Sequence, residues 1–118
     1  MSAFDFLRRK PRTGPELDRL SLQHLRKAGA DLNRPRHVLH FLYFEDEPAA
    51  RAAAEEVSAG GYTVSVTAPA HGDTHWVVQA ETTRVVDART VPAYRRSFER
   101  IASDHGGEYD GWEAAAKP

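Results

Sequence analysis

The chain has 118 residues, a formal net charge of −1 and no cysteine. A chain of this length suits one domain that buries about two thirds of its unfolded surface. The lack of cysteine excludes a disulfide scaffold, a thiolate metal site and a cysteine nucleophile, and it favours a reducing, cytoplasmic location.

The net charge hides an asymmetry along the chain. Residues 1–36 contain nine Lys and Arg against four Asp and Glu, a net +5, so residues 37–118 sum to −6. A nucleic-acid-binding domain of this size is usually basic throughout. The mildly acidic globular part is therefore better suited to a basic partner than to a phosphate backbone.

Residues 1–14 are predicted to form a flexible basic N-terminal tail, and residues 15–118 a single domain. The tail contains the basic cluster Arg8–Arg12 without the long apolar run that a signal peptide needs, so no export is expected. Two interpretations of the tail stay open. It is either a frayed terminus or an arm that touches RNA, lipid or a partner protein.

The first helix is predicted from Pro15 to Ala28, with Gly29 as its left-handed C-terminal cap. Its apolar residues recur at helical spacing. This spacing predicts a stripe made of Leu17, Leu20, Leu22, Leu25 and Ala28.

The run Arg36–Phe44 is the most apolar part of the chain and is too short to cross a membrane. It contains no Gly or Pro and is rich in aromatic and branched residues, which predicts a buried strand. Its apolar residues alternate onto two faces: Val38, Leu42 and Phe44 on one, and Leu39, Phe41 and Tyr43 on the other. We therefore expect a central strand, with helices on one face and another covering, such as a partner, over part of the second.

Asp46 is predicted to cap a second helix that runs to about Ala59 and buries mostly alanine. The segments Tyr62–Ala68 and His75–Thr83 alternate apolar and polar residues across a short loop that contains Pro and Gly. This pattern predicts an antiparallel hairpin.

A third helix is predicted to begin at a cap formed by Thr90. Its arginines, Arg95, Arg96 and Arg100, are expected to face water or a partner.

A last strand is predicted around Glu108–Glu113. After the first helix, the order of elements is β-α-β-β-α-β, the split arrangement of ferredoxin-like domains. The fold class is therefore α+β: a ferredoxin-like sandwich with an extra N-terminal helix and a four-stranded antiparallel sheet. The right-handed crossover rule places both crossover helices on one face of that sheet.

Polar residues of the hairpin loop are the first candidate site, because His71, Asp73 and His75 lie close together in sequence. The loop offers no further ligand, and a metal site needs three or four ligands with a second shell. His37 and His40 are three apart in a strand and project to opposite faces. We therefore predict no metal, no cofactor and no catalytic residues.

An RNA-binding platform is the alternative function, with Phe41 and Tyr43 as stacking residues on the central strand. RNA-recognition modules of this topology carry a basic residue, a glycine and outward aromatics on the third strand. Residues His75–Glu81 lack all three. Direct nucleic-acid binding is therefore not expected.

The terminal block is the leading candidate site. Tyr109 and Trp112 are three apart, so a bulge of one residue at Asp110–Gly111 would bring both rings to one side of a strand. Either both rings close the core beneath the third helix, or the block anchors a partner protein. The candidate partner-binding residues are Glu108, Tyr109, Asp110, Gly111, Trp112 and Glu113.

The block Gly107–Trp112 resembles the end of the RraB family of ribonuclease E regulators, in which an acidic residue followed by Tyr-Asp-Gly-Trp closes the domain. Three further segments support the resemblance, which covers about Glu16 to Glu113. These segments are Gly29–Asp31, Pro35–Phe44 and Gly61–Val64.

The resemblance implies a ferredoxin-like domain without catalytic activity. It also implies that the domain binds the non-catalytic, Arg-rich scaffold region of ribonuclease E and lowers RNA cleavage. The expected function is therefore a non-enzymatic, protein-binding regulator whose partner is ribonuclease E or a related ribonuclease.

Overall fold

The structure is a computed structural model that describes residues 14–117. Its four strands form one antiparallel sheet in the order β2-β3-β1-β4, which confirms the predicted α+β, ferredoxin-like arrangement with an additional N-terminal helix. The elements are α1 (Gly14–Lys27), β1 (Arg36–Phe44), α2 (Glu47–Ala59), β2 (Thr63–Thr67), β3 (Trp76–Arg84), α3 (Thr90–Asp104) and β4 (Glu108–Ala114).

The predicted N-terminal tail lies outside the described residues except for Gly14, which is the first residue of α1. Two predicted helix ends are confirmed. Gly29 has φ 87°, as a left-handed cap requires. The Asp46 carboxylate accepts the N–H of Ala49 at 2.9 Å, at the start of α2.

The predicted cap of α3 is wrong by three residues. Thr90 is the first residue of the helix, and its hydroxyl donates to the carbonyl oxygen of Val85. The Asp87 carboxylate instead accepts the N–H groups of Arg89 and Thr90, both at 2.9 Å. A short acidic side chain just before a helix satisfies these otherwise unpaired donors, so Asp87 and not Thr90 caps the N-terminus of α3.

The centre of the sheet is β1, which pairs with β3 along its whole length and with β4 on its other side. Alternate residues of β1 are buried under the helices, namely Val38, His40, Leu42 and Phe44. The main core joins this face to small residues of α2 and to the inner face of α3. Its helical members are Ala50, Ala53, Ala54, Val57, Phe98, Ile101 and Ala102.

The additional helix α1 forms a second apolar cluster at the β4 side of the molecule. Leu22 and Leu25 are buried there with Val38, Val86 and Val91. Of the remaining predicted stripe, Leu17 and Leu20 are half-buried and Ala28 is exposed.

An arginine of α3 departs from prediction, because Arg95 is only 9% exposed and faces α1 rather than solvent. Its guanidinium donates two hydrogen bonds to the carboxylate of Asp18, at 2.6 and 2.9 Å. Arg96 is exposed as predicted, and Arg100 is exposed and pairs with Glu56 at 2.7 Å. The paired geometry with Asp18 explains how a charged residue occupies the buried face of a helix.

Candidate functional site

The sheet surface opposite α2 and α3 carries a half-buried apolar row on its central strand. Leu39, Phe41 and Tyr43 alternate with the core residues of β1 and project to this side. We call the surface the open face. Its outward positions, read from the strand register, are His37, Leu39, Phe41, Tyr43, Thr63, Ser65, Thr67, Val77, Gln79, Glu81, Thr83, Glu108, Gly111 and Glu113.

Carboxylates lie on either side of this apolar row. Glu113 of β4 is opposite Leu39, and Glu108 is opposite Tyr43. On the β3 side, Glu81 is also opposite Leu39. Among the outward positions of the four described strands there is no Lys or Arg.

The bulge predicted in the terminal strand is present. Phe41 is opposite Gly111 and the next residue, Leu42, is opposite Tyr109, so Asp110 is the extra residue of β4. Gly111 has φ 136°, a conformation that a residue with a Cβ rarely adopts. The Asp110 carboxylate turns towards the open face, where it accepts the Tyr43 hydroxyl at 3.1 Å.

The open face has a negative local field. Partial burial, the Asp110 carboxylate and the charges of Asp73 and Glu113 together raise the pKa of Tyr43 to about 12. Burial disfavours the charged phenolate, and the neighbouring carboxylates would repel it. The same field attracts cationic groups, and the carboxylates can accept charge-assisted hydrogen bonds from guanidinium or ammonium groups.

The structure divides the six candidate residues of the terminal block between two faces. Tyr109 and Trp112 lie opposite Leu42 and His40, which are core residues, so both rings face the helices. The predicted bulge thus brings both rings to one side, and of the two interpretations left open for the rings the structure shows the one in which they pack beneath the helices. Glu108, Gly111 and Glu113 lie on the open face beside Phe41 and Tyr43, and the Asp110 side chain joins them. The outward-facing part of the block and the proposed RNA platform thus form a single surface.

Tyr109 is part of an aromatic cluster under α3. Its ring stacks on Phe98 with centroids 5.2 Å apart, and Arg95 lies 4.9 Å from its centroid. Its hydroxyl shares a hydrogen bond of 2.8 Å with Nδ1 of His40. Burial raises the pKa of Tyr109 well above its usual range, so the hydroxyl stays protonated.

Trp112 connects the terminal strand to the buried ion pair. Its indole Nε1 donates to Oδ1 of Asp18 at 2.9 Å, and the same oxygen accepts a hydrogen bond from the Arg95 guanidinium. A cleft of about 220 Å³ opens beside this contact, and the residues that line it come from α1, from Arg95 of α3, and from β1 and β4. Its lining includes Leu17, Ser21, Phe41, Gly111 and Glu113.

Sequence reasoning missed the burial of Asp18 and Arg95, although a signal for their burial was present. Arg95 is at helical spacing from Val91 and Phe98, and Asp18 is at helical spacing from Leu22 and Leu25. All six residues are buried, and Trp112 is half-buried. Position on the apolar stripe therefore indicated burial more reliably than residue type did.

The hairpin-loop residues form a local turn. Asp73 accepts the N–H of Thr74 at 2.7 Å and lies 3.1 Å from the ring Nδ1 of His75. His71 is exposed. Within residues 14–117, no three His, Asp or Glu side chains come together in a group that could hold a metal ion. His37 and His40 lie on opposite faces, as their spacing predicted.

Comparison with known proteins gives one family. A family model described as regulator of ribonuclease activity B, RraB, matches residues 16–114. A search of curated proteins found no match. In the part of the chain that the structure describes, no helix is long and apolar enough to cross a membrane.

Proposed function

The chain belongs to the RraB family of regulators of ribonuclease activity, and from this premise we propose that it is a non-enzymatic regulator that binds a ribonuclease. The proposed partner is ribonuclease E or a related enzyme, through the Arg-rich scaffold region outside its catalytic part. The open face is the proposed contact surface.

The charge and polarity of the open face support this partner chemistry. Half-buried Phe41 and Tyr43 offer apolar area at the centre, and Glu108, Asp110 and Glu113 line the β4 side. An interface commonly combines an aromatic centre with a polar rim. A basic scaffold segment would be steered to this surface and held by charge-assisted hydrogen bonds.

The same observation disfavours the RNA alternative. Stacking platforms for single strands combine aromatic residues with a positively charged groove. Here carboxylates surround the aromatic residues, and they would repel phosphates.

Cleavage assays with two forms of ribonuclease E test the proposal. We expect the protein to slow RNA cleavage by the full-length enzyme but not by a form that lacks the scaffold region. Phe41→Ser should weaken both inhibition and binding by about tenfold or more, because a central aromatic contact is lost. Equal inhibition of the two enzyme forms, or full activity of F41S, would contradict the proposed surface.

A parallel titration with single-stranded RNA at low salt separates the two functions. We expect no binding of RNA by the wild-type protein. Salt-sensitive RNA binding that F41S removes would instead favour the RNA-binding module.

A further inference from the structure

The two edges of the sheet differ in how they are protected from pairing with another strand. The β4 edge carries a bulge, three acidic residues and contacts with α1 through Trp112 and Asp18. Bulges, charges and covering elements are the usual means of blocking an edge. The β2 edge has none of these in its five residues.

β2 lies at one end of the strand order, so no strand of the described chain pairs with its outer side. It contains Thr, Val and Ser only, with no charge and no proline. Thr63, Ser65 and Thr67 are exposed, and Val64 and Val66 are half-buried. An uncharged, β-branched edge strand presents backbone groups that readily pair with a further strand.

A groove of about 440 Å³ runs beside this edge on the helix side. Val64 and Val66 form its floor, and Ala54 and Ser58 of α2 line its wall with the charged Arg51 and Glu55. An added strand whose side chains are small and apolar at alternate positions would fill the groove while it completed the backbone hydrogen bonds.

The sequence of β2 supplies such a strand. Thr63–Thr67 reads the same in both directions, Thr-Val-Ser-Val-Thr. We propose that two copies of this chain pair antiparallel through β2 about a two-fold axis at Ser65, forming a continuous eight-stranded sheet.

This register places like residues opposite each other. Val64 of one copy is opposite Val66 of the other on the helix side, and Thr63 is opposite Thr67 on the open face. Facing residues of an antiparallel pair lie on the same side, so all four valines enter the joined grooves. A two-fold contact requires this kind of self-complementary surface.

The charges at the rim of the groove fit the same symmetry. Arg51 and Glu55 are one helical turn apart on α2, and both are exposed. Arg51 already pairs with Glu47 on its own helix at 2.9 Å. A two-fold axis reverses the order of the two charges in the second copy, so the basic end of one groove meets the acidic end of the other.

The mass of the full chain in solution tests the pairing. At a concentration on the order of 100 µM, which suits a small interface, light scattering should give twice the chain mass of 13.2 kDa. A mass of one chain at this concentration would overturn the proposal. The proposal would also be overturned if a strand of another protein bound to β2 while the free chain stayed monomeric.

Charged side chains introduced at Ser65, on the axis, give a second test. Ser65→Lys and Ser65→Glu each place like charges opposite one another in the pair, and each should weaken the dimer by about tenfold or more. An equimolar mixture of the two variants should restore the dimer mass. Ser103→Lys, the same change at an exposed position of α3, is the control and should remain dimeric. Unchanged dimers of S65K and S65E, or monomers in their mixture, would refute the register.

Hydrogen exchange of the wild-type chain covers the case in which a variant fails to fold. The outward amides of β2 should exchange more slowly at high than at low protein concentration, while those of β3 should not change. Equal exchange of β2 at both concentrations would contradict the pairing.

Discussion

The two faces of the sheet differ in how they accommodate charged groups. On the face under the helices, Asp18 and Arg95 are buried and satisfy each other. On the open face, carboxylates such as Glu113 remain exposed around half-buried aromatic residues. Buried charges that lack a partner are costly, whereas exposed ones contribute little to stability. We therefore expect substitutions on the covered face, the one under the helices, to change folding, and substitutions on the open face to change binding.

The largest expected effect is on the covered face. Arg95→Met leaves the Asp18 carboxylate buried without its cation, and breaking a buried pair in this way typically lowers the free energy of unfolding by about 3–5 kcal/mol. Arg96→Met makes the same change at the next, exposed residue and should cost no more than about 0.5 kcal/mol. Urea unfolding of both variants measures the difference. A similar small loss for both would show that the buried pair does not stabilise the fold.

The position of Arg95 also marks the limit of prediction from sequence. The split β-α-β-β-α-β order, the central place of β1 and the bulge at Asp110 follow from local patterns such as alternation, caps and spacing. The contact of Asp18 with Arg95 joins residues 77 apart in the chain. No local pattern specifies such a pair, so the side on which α1 packs was not predictable.

The candidate site was predictable in part for a similar reason. The terminal block and the pair Phe41 and Tyr43 were each identified from sequence, but as alternatives. Only the register, which sets Phe41 opposite Gly111 and Tyr43 opposite Glu108, shows that they share one surface. Pairing of strands that are distant in sequence depends on the whole sheet and not on either segment alone.

The second effect concerns pH, through a histidine of the covered face. Burial, together with the positive charges of Arg84 and Arg95, lowers the pKa of His40 to about 3 from 6.5. Above pH 6.5 this residue is neutral in both the folded and the unfolded states. As the pH falls from 6.5 towards 3, the unfolded state takes up the proton first, so stability declines by about 1.4 kcal/mol per pH unit.

Unfolding measured between pH 7 and pH 5 tests this slope. The free energy of unfolding should be about 2 kcal/mol lower at pH 5 than at pH 7. His40→Phe should flatten the profile over this range because the titrating group is removed. His37→Gln, a change at the exposed histidine of the same strand, should leave most of the slope in place. An identical slope in H40F and the wild type would assign the acid sensitivity to other groups.

A smaller effect is expected at the bulge between the two faces. Gly111→Ala forces a Cβ onto a residue with φ 136°, and strain of this kind typically costs about 1–3 kcal/mol. Gly72→Ala is the matched control, since Gly72 has φ 84° in an exposed turn where a Cβ meets nothing within 4 Å. It should cost about 1 kcal/mol. Thermal unfolding that ranked G72A as the more damaging variant would contradict this account of the bulge.

The smallest effect on stability is expected on the open face, where binding should respond instead. Glu113→Gln removes an exposed charge and should change the free energy of unfolding by less than about 0.5 kcal/mol. Its association with a basic ribonuclease segment should slow several-fold at low salt, and the difference should vanish at high salt, because long-range attraction is screened. Asp104→Asn removes the same charge at an exposed position at the end of α3, outside the open face, and should leave the association rate unchanged. If E113Q and D104N slowed association equally, overall charge and not the open face would determine binding, and the two faces of the sheet would no longer differ in function.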